Sequence, residues 1–140
     1  MARRSGYEGD LGADVMAYYS RDPYSGGCTV VASISTGDQV WTSCTERVDA
    51  FNDDGSRMAL IDLLSDGIGP SAVRVRTASG KQVATYQVVR GWFGYVAWET
   101  STALLLDTNG PHKAATVRCE GTDCERATDL AATVQPRVAA

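Results

Sequence analysis

The sequence has no long apolar run, a single histidine and no paired cysteine knuckles, and each shortage removes a class of protein. No stretch approaches the roughly 20 apolar residues that a membrane-spanning helix needs, so no such span is expected. His112 is the only histidine, and the four cysteines form no C-x-x-C pair, so neither a zinc knuckle nor another metal site is indicated. Basic residues are outnumbered, with 13 Lys and Arg against 17 Asp and Glu. The resulting net charge of −4 argues against nucleic acid, whose binders present a dense basic face. The start, MARRSGYEGD, is basic but has no apolar segment behind it, so it does not read as a signal peptide. Helical periodicity is scarce, and G-x-S-x-G is absent.

What is present reads as β-structure. The chain has 140 residues, 44% hydrophobic and 21% charged, which suits one globular domain with a core of its own. Short alternating or wholly apolar runs recur between glycine and aspartate turns. Candidate strands are Val15–Ser20, Cys28–Ser35, Val40–Cys44, Arg57–Leu63, Ala72–Thr77, Gln82–Val89, Gly94–Trp98, Ala103–Asp107 and Ala114–Cys119. Residues 1–13 read as an N-terminal arm and 131–140 as a small, polar, flexible tail.

FNDDGSRMALID (51–62) invites a calcium reading. Placing Gly55 at the invariant glycine of an EF-hand loop puts Ala50 and Ile61 at positions that need side-chain oxygens. The stretch is therefore expected to be a tight turn, with Asp54-Gly55 supplying positive φ between two strands.

GGCTVVASISTGDQVWT (26–42) aligns without gaps on GPSAVRVRTASGKQVAT (69–85), at an offset of 43. VMAYYS (15–20) falls over MALIDL (58–63) at the same offset, and a weaker third copy spans YVAW (95–98), after VDAF (48–51), then ALLLD (103–107) and AATVRCEGTDCERAT (114–128). Such a period, with about four strands per unit, is that of a propeller blade. On FNDDGSRMALID and VRVRTASGKQV, the chain resembles WD40-like and TolB-like β-propeller repeats. It departs from them in Asp53, where a proline is common, and in lacking a Trp-Asp dipeptide. The resemblance implies an all-β fold of antiparallel four-stranded blade-like units at about 14–47, 48–90 and 91–130. Three units do not close an ordinary propeller of roughly four to eight blades. A homodimer completing a six-bladed ring, a fragment of a larger propeller protein, and a β-sandwich or barrel are the alternatives.

Hairpin arithmetic places the cysteines. With the turn centred on Thr36, facing residues sum to 72, which sets Cys28 opposite Cys44. Cys119 and Cys124 flank Gly121-Thr122 in the same way. Two disulfides are favoured over free buried thiols, which points to an extracytoplasmic setting.

Candidate chemistry is thin. His112 reads as an exposed loop residue without a serine partner. Asp53/Asp54 and Asp62/Asp66 could in principle serve a glycoside hydrolase or lyase, but Asp62 and Asp107 recur at matching strand ends, as turn-capping residues do. Arg74 and Arg76 share one face of a strand and read as a solvent-facing edge. Trp92, Phe93 and Tyr24 are the candidate partner-binding residues, as aromatic anchors on loops. No catalytic residue or cofactor is assigned. The sequence reads as a non-catalytic scaffold or binding module for a protein or peptide.

Overall fold

A computed structural model describes residues 6–65 and 69–133. The chain is all-β and folds into three antiparallel sheets. Sheet 1 contains β1 (Gly6–Asp10), β2 (Val15–Tyr19), β3 (Thr29–Ser33) and β4 (Gln39–Ser43). Sheet 2 contains β5 (Glu46–Phe51), β6 (Arg57–Asp62), β7 (Ala72–Thr77) and β8 (Gln82–Gln87). Sheet 3 contains β9 (Trp92–Trp98), β10 (Ala103–Asn109), β11 (Lys113–Glu120) and β12 (Asp123–Arg126), and β13 (Ala131–Ala132) also pairs with β11. Each sheet is a meander in chain order, and among the described residues no barrel closes. These are blade-like units.

Four of these strands, β1, β5, β12 and β13, are not among the candidate strands, although the turns at Asp54-Gly55 and Gly121-Thr122 called for β5 and β12. Gly6–Asp10, within the supposed arm, pairs along β2. Glu46–Phe51 opens sheet 2, and Asp123–Arg126 closes sheet 3. None carries a clean apolar alternation, because β1 and β5 border the neighbouring sheet along one edge while β12 is exposed throughout. Ala131 and Ala132, in the supposed tail, bond to Ala114 and Lys113.

The sheets meet along their first strands, β1 beside β5 and β5 beside β9. The Tyr7 hydroxyl accepts from the Val48 N–H at 2.8 Å, and the Trp98 indole donates to the Ala50 carbonyl at 3.1 Å. Each first strand also carries an extra residue against its partner: Tyr7 in β1, Asp49 in β5, and one of Gly94 and Tyr95 in β9. Such bulges bend a strand and re-aim its side chains.

Sheet 2 is buried on both faces. Met58, Leu60 and Val48 pack against Val15, Ala17 and Val31 of sheet 1. From the opposite face, Ala59, Ile61, Val73, Val75 and Tyr86 pack against Phe93, Val96, Leu104, Leu106 and Cys119 of sheet 3. This arrangement corrects the gapless repeat. Side chains alternate faces with a period of two, so a register slip of one residue reverses a whole strand. Val30, aligned with Val73, lies with Tyr18 and Ala32 on the face of sheet 1 turned away from sheet 2. Val73 faces sheet 3. Units therefore correspond element by element; at 43 the faces agree in β4 and β8, where Trp41 packs toward sheet 2 and Ala84 toward sheet 3, but not in β3 and β7.

The turns and cross-links follow the sequence reading. Gly55 (φ +69°) closes the β5–β6 turn, with the Asn52 N–H donating to the Arg57 carbonyl at 3.0 Å. Asp54 is not left-handed; its carboxylate accepts from the Ser56 N–H at 2.9 Å and from the Ser56 hydroxyl. Disulfides join Cys28 to Cys44 and Cys119 to Cys124, with Cα separations of 4.2 and 4.1 Å. The β3–β4 pairs Thr29–Ser43 and Val31–Trp41 hold the expected sum of 72.

Candidate ligand-binding cleft

The loop after β2 begins Ser-Arg-Asp-Pro-Tyr-Ser-Gly-Gly (20–27), and its chemistry dictates its shape. Pro23 presets φ at the first position of a single 3-10 turn, Pro23–Ser25. Asp22 caps that turn, its carboxylate accepting from the Tyr24 N–H at 2.9 Å. Gly26 (φ +84°) ends it in the left-handed region. The turn presents Tyr24 outward, 70% exposed. A β-carbon at Gly27 would fall 1.9 Å from the Arg21 carbonyl oxygen, so no larger residue fits the return of the chain.

Opposite stands the segment after β6. The Leu63 N–H donates to the Thr45 carbonyl at 2.9 Å, and the Arg47 guanidinium holds the Ser65 carbonyl at 3.0 Å. Leu63 is thereby buried while Leu64 is 51% exposed. Between the two segments lies a cleft of about 860 Å³, lined by Pro23, Tyr24, Leu64 and Pro70 and backed by the Cys28–Cys44 disulfide. Among the described residues its single carboxylate, Asp62, is paired with Arg74.

Of the three predicted anchors, Tyr24 alone lines the cleft. Phe93 is 4% exposed and belongs to the core between sheets 2 and 3, because the strand starts at Trp92 and not after it. Trp92 is half-buried behind the cleft wall: a β-carbon at Gly69 would lie 3.1 Å from its ring and 2.7 Å from the Phe93 carbonyl oxygen.

The titratable groups do not converge. Asp54 caps its turn, Asp62 faces Arg74, and Asp66 lies outside the described residues. His112 is an exposed turn residue whose carbonyl accepts from the Thr133 N–H at 3.2 Å. Among the described residues no three His, Cys, Asp or Glu side chains are grouped to hold a metal.

The arginine pair is a correction. Arg74 and Arg76 do share a face, but that face is the seam with sheet 1 and not solvent. Glu46, 5% exposed, accepts from Arg74 Nε at 2.7 Å and from Arg76 Nε and an Arg76 terminal nitrogen at 3.1 and 2.8 Å. The Arg76 guanidinium also lies 5.8 Å from the centre of the Trp41 ring. Burial works against the Arg74 charge, but its bonds to Glu46 and Asp62 prevail and raise its pKa. Two valines and two arginines alternating along β7 were the visible signal; the acid they needed sits on another strand. Nearby, burial raises the pKa of Asp49, and burial together with the Asp49 charge raises that of Glu8. Burial pushes the Tyr7 phenol up to about 12, against the Val48 N–H bond that favours its ionised form.

No family model and no curated protein matches the chain. Among solved structures it is similar to "KlHsv2 with loop 6CD replaced by a Gly-Ser linker", at 18% identity and a TM-score of 0.49, over 75% of this chain and 36% of that one. This chain thus spans about a third of that protein's length, and a likeness so distant carries no argument about activity.

Proposed function

We propose that this chain is a non-catalytic binding module, a propeller-type scaffold that takes a peptide segment of a protein partner in the cleft between the loops after β2 and β6. One observation carries the reading: two large exposed side chains, Tyr24 and Leu64, stand on the walls of one concavity of about 860 Å³. Pockets of this size lined by apolar groups, with few polar ones, suit ligands that bury most of their surface. The cleft holds no unpaired carboxylate to act as acid or nucleophile among its described residues. Proline, tyrosine and leucine walls favour an apolar or proline-containing segment. The disulfide behind the cleft fixes its wall and suits an oxidising setting.

The test is selection from a random peptide library displayed on phage, run on the oxidised protein and on Tyr24→Ala/Leu64→Ala. Peptides that enrich on the parent and lose at least about tenfold in affinity on the variant support the cleft. Equal enrichment on both, or none on the parent, overturns it. Light scattering on the same preparation addresses the propeller reading. A dimer is expected if six units close a ring, and a monomer removes that arrangement.

A further inference from the structure

A second concavity lies on the opposite side of sheet 2, where β5 and β9 run side by side. It encloses about 340 Å³ and is lined by Phe51, Tyr95, Trp98, Asp53 and Glu99. Its chemistry differs from that of the cleft. Tyr95, beside the β9 bulge, is 73% exposed, a large ring turned to solvent on an otherwise packed strand. Trp98 has spent its only donor on the Ala50 carbonyl and rests partly on the core between sheets 2 and 3, so what it offers a ligand is the part of its π surface that the core leaves uncovered. Glu99 is already neutralised, its two oxygens gripped by Arg118 at 2.7 and 2.8 Å. The Asp53 carboxylate has no hydrogen-bond or ion-pair partner among the described residues, while its neighbour Asp54 is committed to Ser56.

The groove therefore offers aromatic surface and one uncompensated negative charge. We propose that it binds an organic cation, specifically a quaternary, fully N-methylated ammonium group. An aromatic face attracts cations through its quadrupole, and a carboxylate adds a direct Coulomb attraction. An anion would meet the uncompensated charge of Asp53. A neutral apolar ligand would cover Asp53 without compensating it. A primary ammonium is strongly hydrated and brings three N–H donors, for which the groove supplies one free carboxylate. A methylated ammonium has little hydration to lose and no donors left over. This inference is independent of the peptide cleft, since the two concavities share no lining residue.

The experiment is a titration followed by tryptophan fluorescence and by amide chemical shifts, with choline and its neutral isostere 3,3-dimethyl-1-butanol as matched probes. Methylammonium tests the primary-amine source. Choline is expected to shift the Tyr95 and Trp98 signals and to bind about tenfold more tightly than the isostere, with methylammonium weaker than choline. Tyr95→Ala and Asp53→Asn are both exposed substitutions that leave the core intact, and each is expected to weaken choline about threefold. Tyr24→Ala should leave choline binding unchanged. Equal binding of choline and isostere would reduce the groove to an apolar dimple and overturn the proposal. So would choline shifts that persist unaltered in both variants, an absence of shifts, or tighter binding of methylammonium.

Discussion

Between sheets 2 and 3 the packing is apolar, with Ile61, Val73, Val75 and Tyr86 meeting Phe93, Val96, Leu104 and Leu106. Between sheets 1 and 2 a smaller apolar cluster shares its seam with Glu46, Arg74 and Arg76. One strand supplies both: β7 turns Val73 and Val75 to sheet 3 and Arg74 and Arg76 to sheet 1. The period of two lets a single strand serve two unlike interfaces. The apolar seam draws its stability from area removed from water, which tolerates small shifts. The charged seam is specified by direction, because a buried carboxylate is tolerable only while its arginines stay in place. Oriented hydrogen bonds also tie the apolar seam between sheets 2 and 3 at its edges. Asn52, 1% exposed, reaches the Ser101 carbonyl at 2.8 Å, and the Tyr86 hydroxyl reaches the Gly121 carbonyl at 2.9 Å.

The largest effect is expected in the apolar seam. Leu104 is 1% exposed between sheets 2 and 3, and Leu104→Ala should lower unfolding free energy by roughly 3–4 kcal/mol, read from urea midpoints at unchanged slope. A loss below about 1 kcal/mol would mean that the two sheets are not held by this contact.

In the charged seam, Glu46→Ala leaves two guanidinium groups facing one another and should cost about 3 kcal/mol. Replacing the whole set, Glu46→Leu with Arg74→Leu and Arg76→Met, should recover most of that loss, since a buried ion cluster contributes little beyond an apolar one of the same volume. If the triple variant is as weak as Glu46→Ala, the pairs supply net stability and the contrast between the seams is one of geometry alone.

The disulfides sharpen the comparison. Cys119 is part of the apolar seam, whereas Cys28–Cys44 backs the cleft. Their sequence separations are 5 and 16, so on chain entropy the first contributes about 2 kcal/mol and the second about 3. Serine at both positions of each pair, with denaturant midpoints of the two variants, checks the order. A larger loss at Cys119 would show that its packing in the core outweighs loop closure.

How far this was legible from the sequence divides along the same lines. The all-β class, the turns and both cysteine pairs follow from short-range chemistry: glycine and aspartate at turns, and register sums across one hairpin. What escaped depends on distant partners. The strand ERVDAF (46–51) begins with two charges, and only the arrival of Arg74 and Arg76 makes Glu46 an interior residue. The strand GYEGD (6–10) has no apolar alternation, because its tyrosine sits at a bulge and reaches across to Val48. The offset of 43 was correct for the order of elements and for the faces of β4 and β8, but wrong by one residue in β3 and β7, since a gapless alignment carries no information on which side a strand buries. Of the aromatic anchors, Tyr24 was marked by its Asp-Pro-Tyr-Ser-Gly turn. For Phe93, nothing nearby separated loop from strand. The bulge that exposes Tyr95 left no mark in the sequence.

The smallest expected effect is a pH dependence confined to the charged side of the molecule. The Tyr7 ring is 36% exposed, yet its hydroxyl sits in the seam against the Val48 N–H, and its pKa rises from 10.0 to about 12. The folded chain then holds this proton more tightly than the unfolded chain does. Its contribution is complete below pH 10 and is lost as the pH climbs from 10 towards 12, because the unfolded state ionises first. Urea midpoints at pH 9 and pH 11 should therefore fall less for Tyr7→Phe than for the parent, although the variant starts lower at pH 9 through loss of the acceptor for Val48. Parallel falls in the two proteins would place the alkaline sensitivity elsewhere, and with it remove the phenol as a titrating part of the seam between sheets 1 and 2.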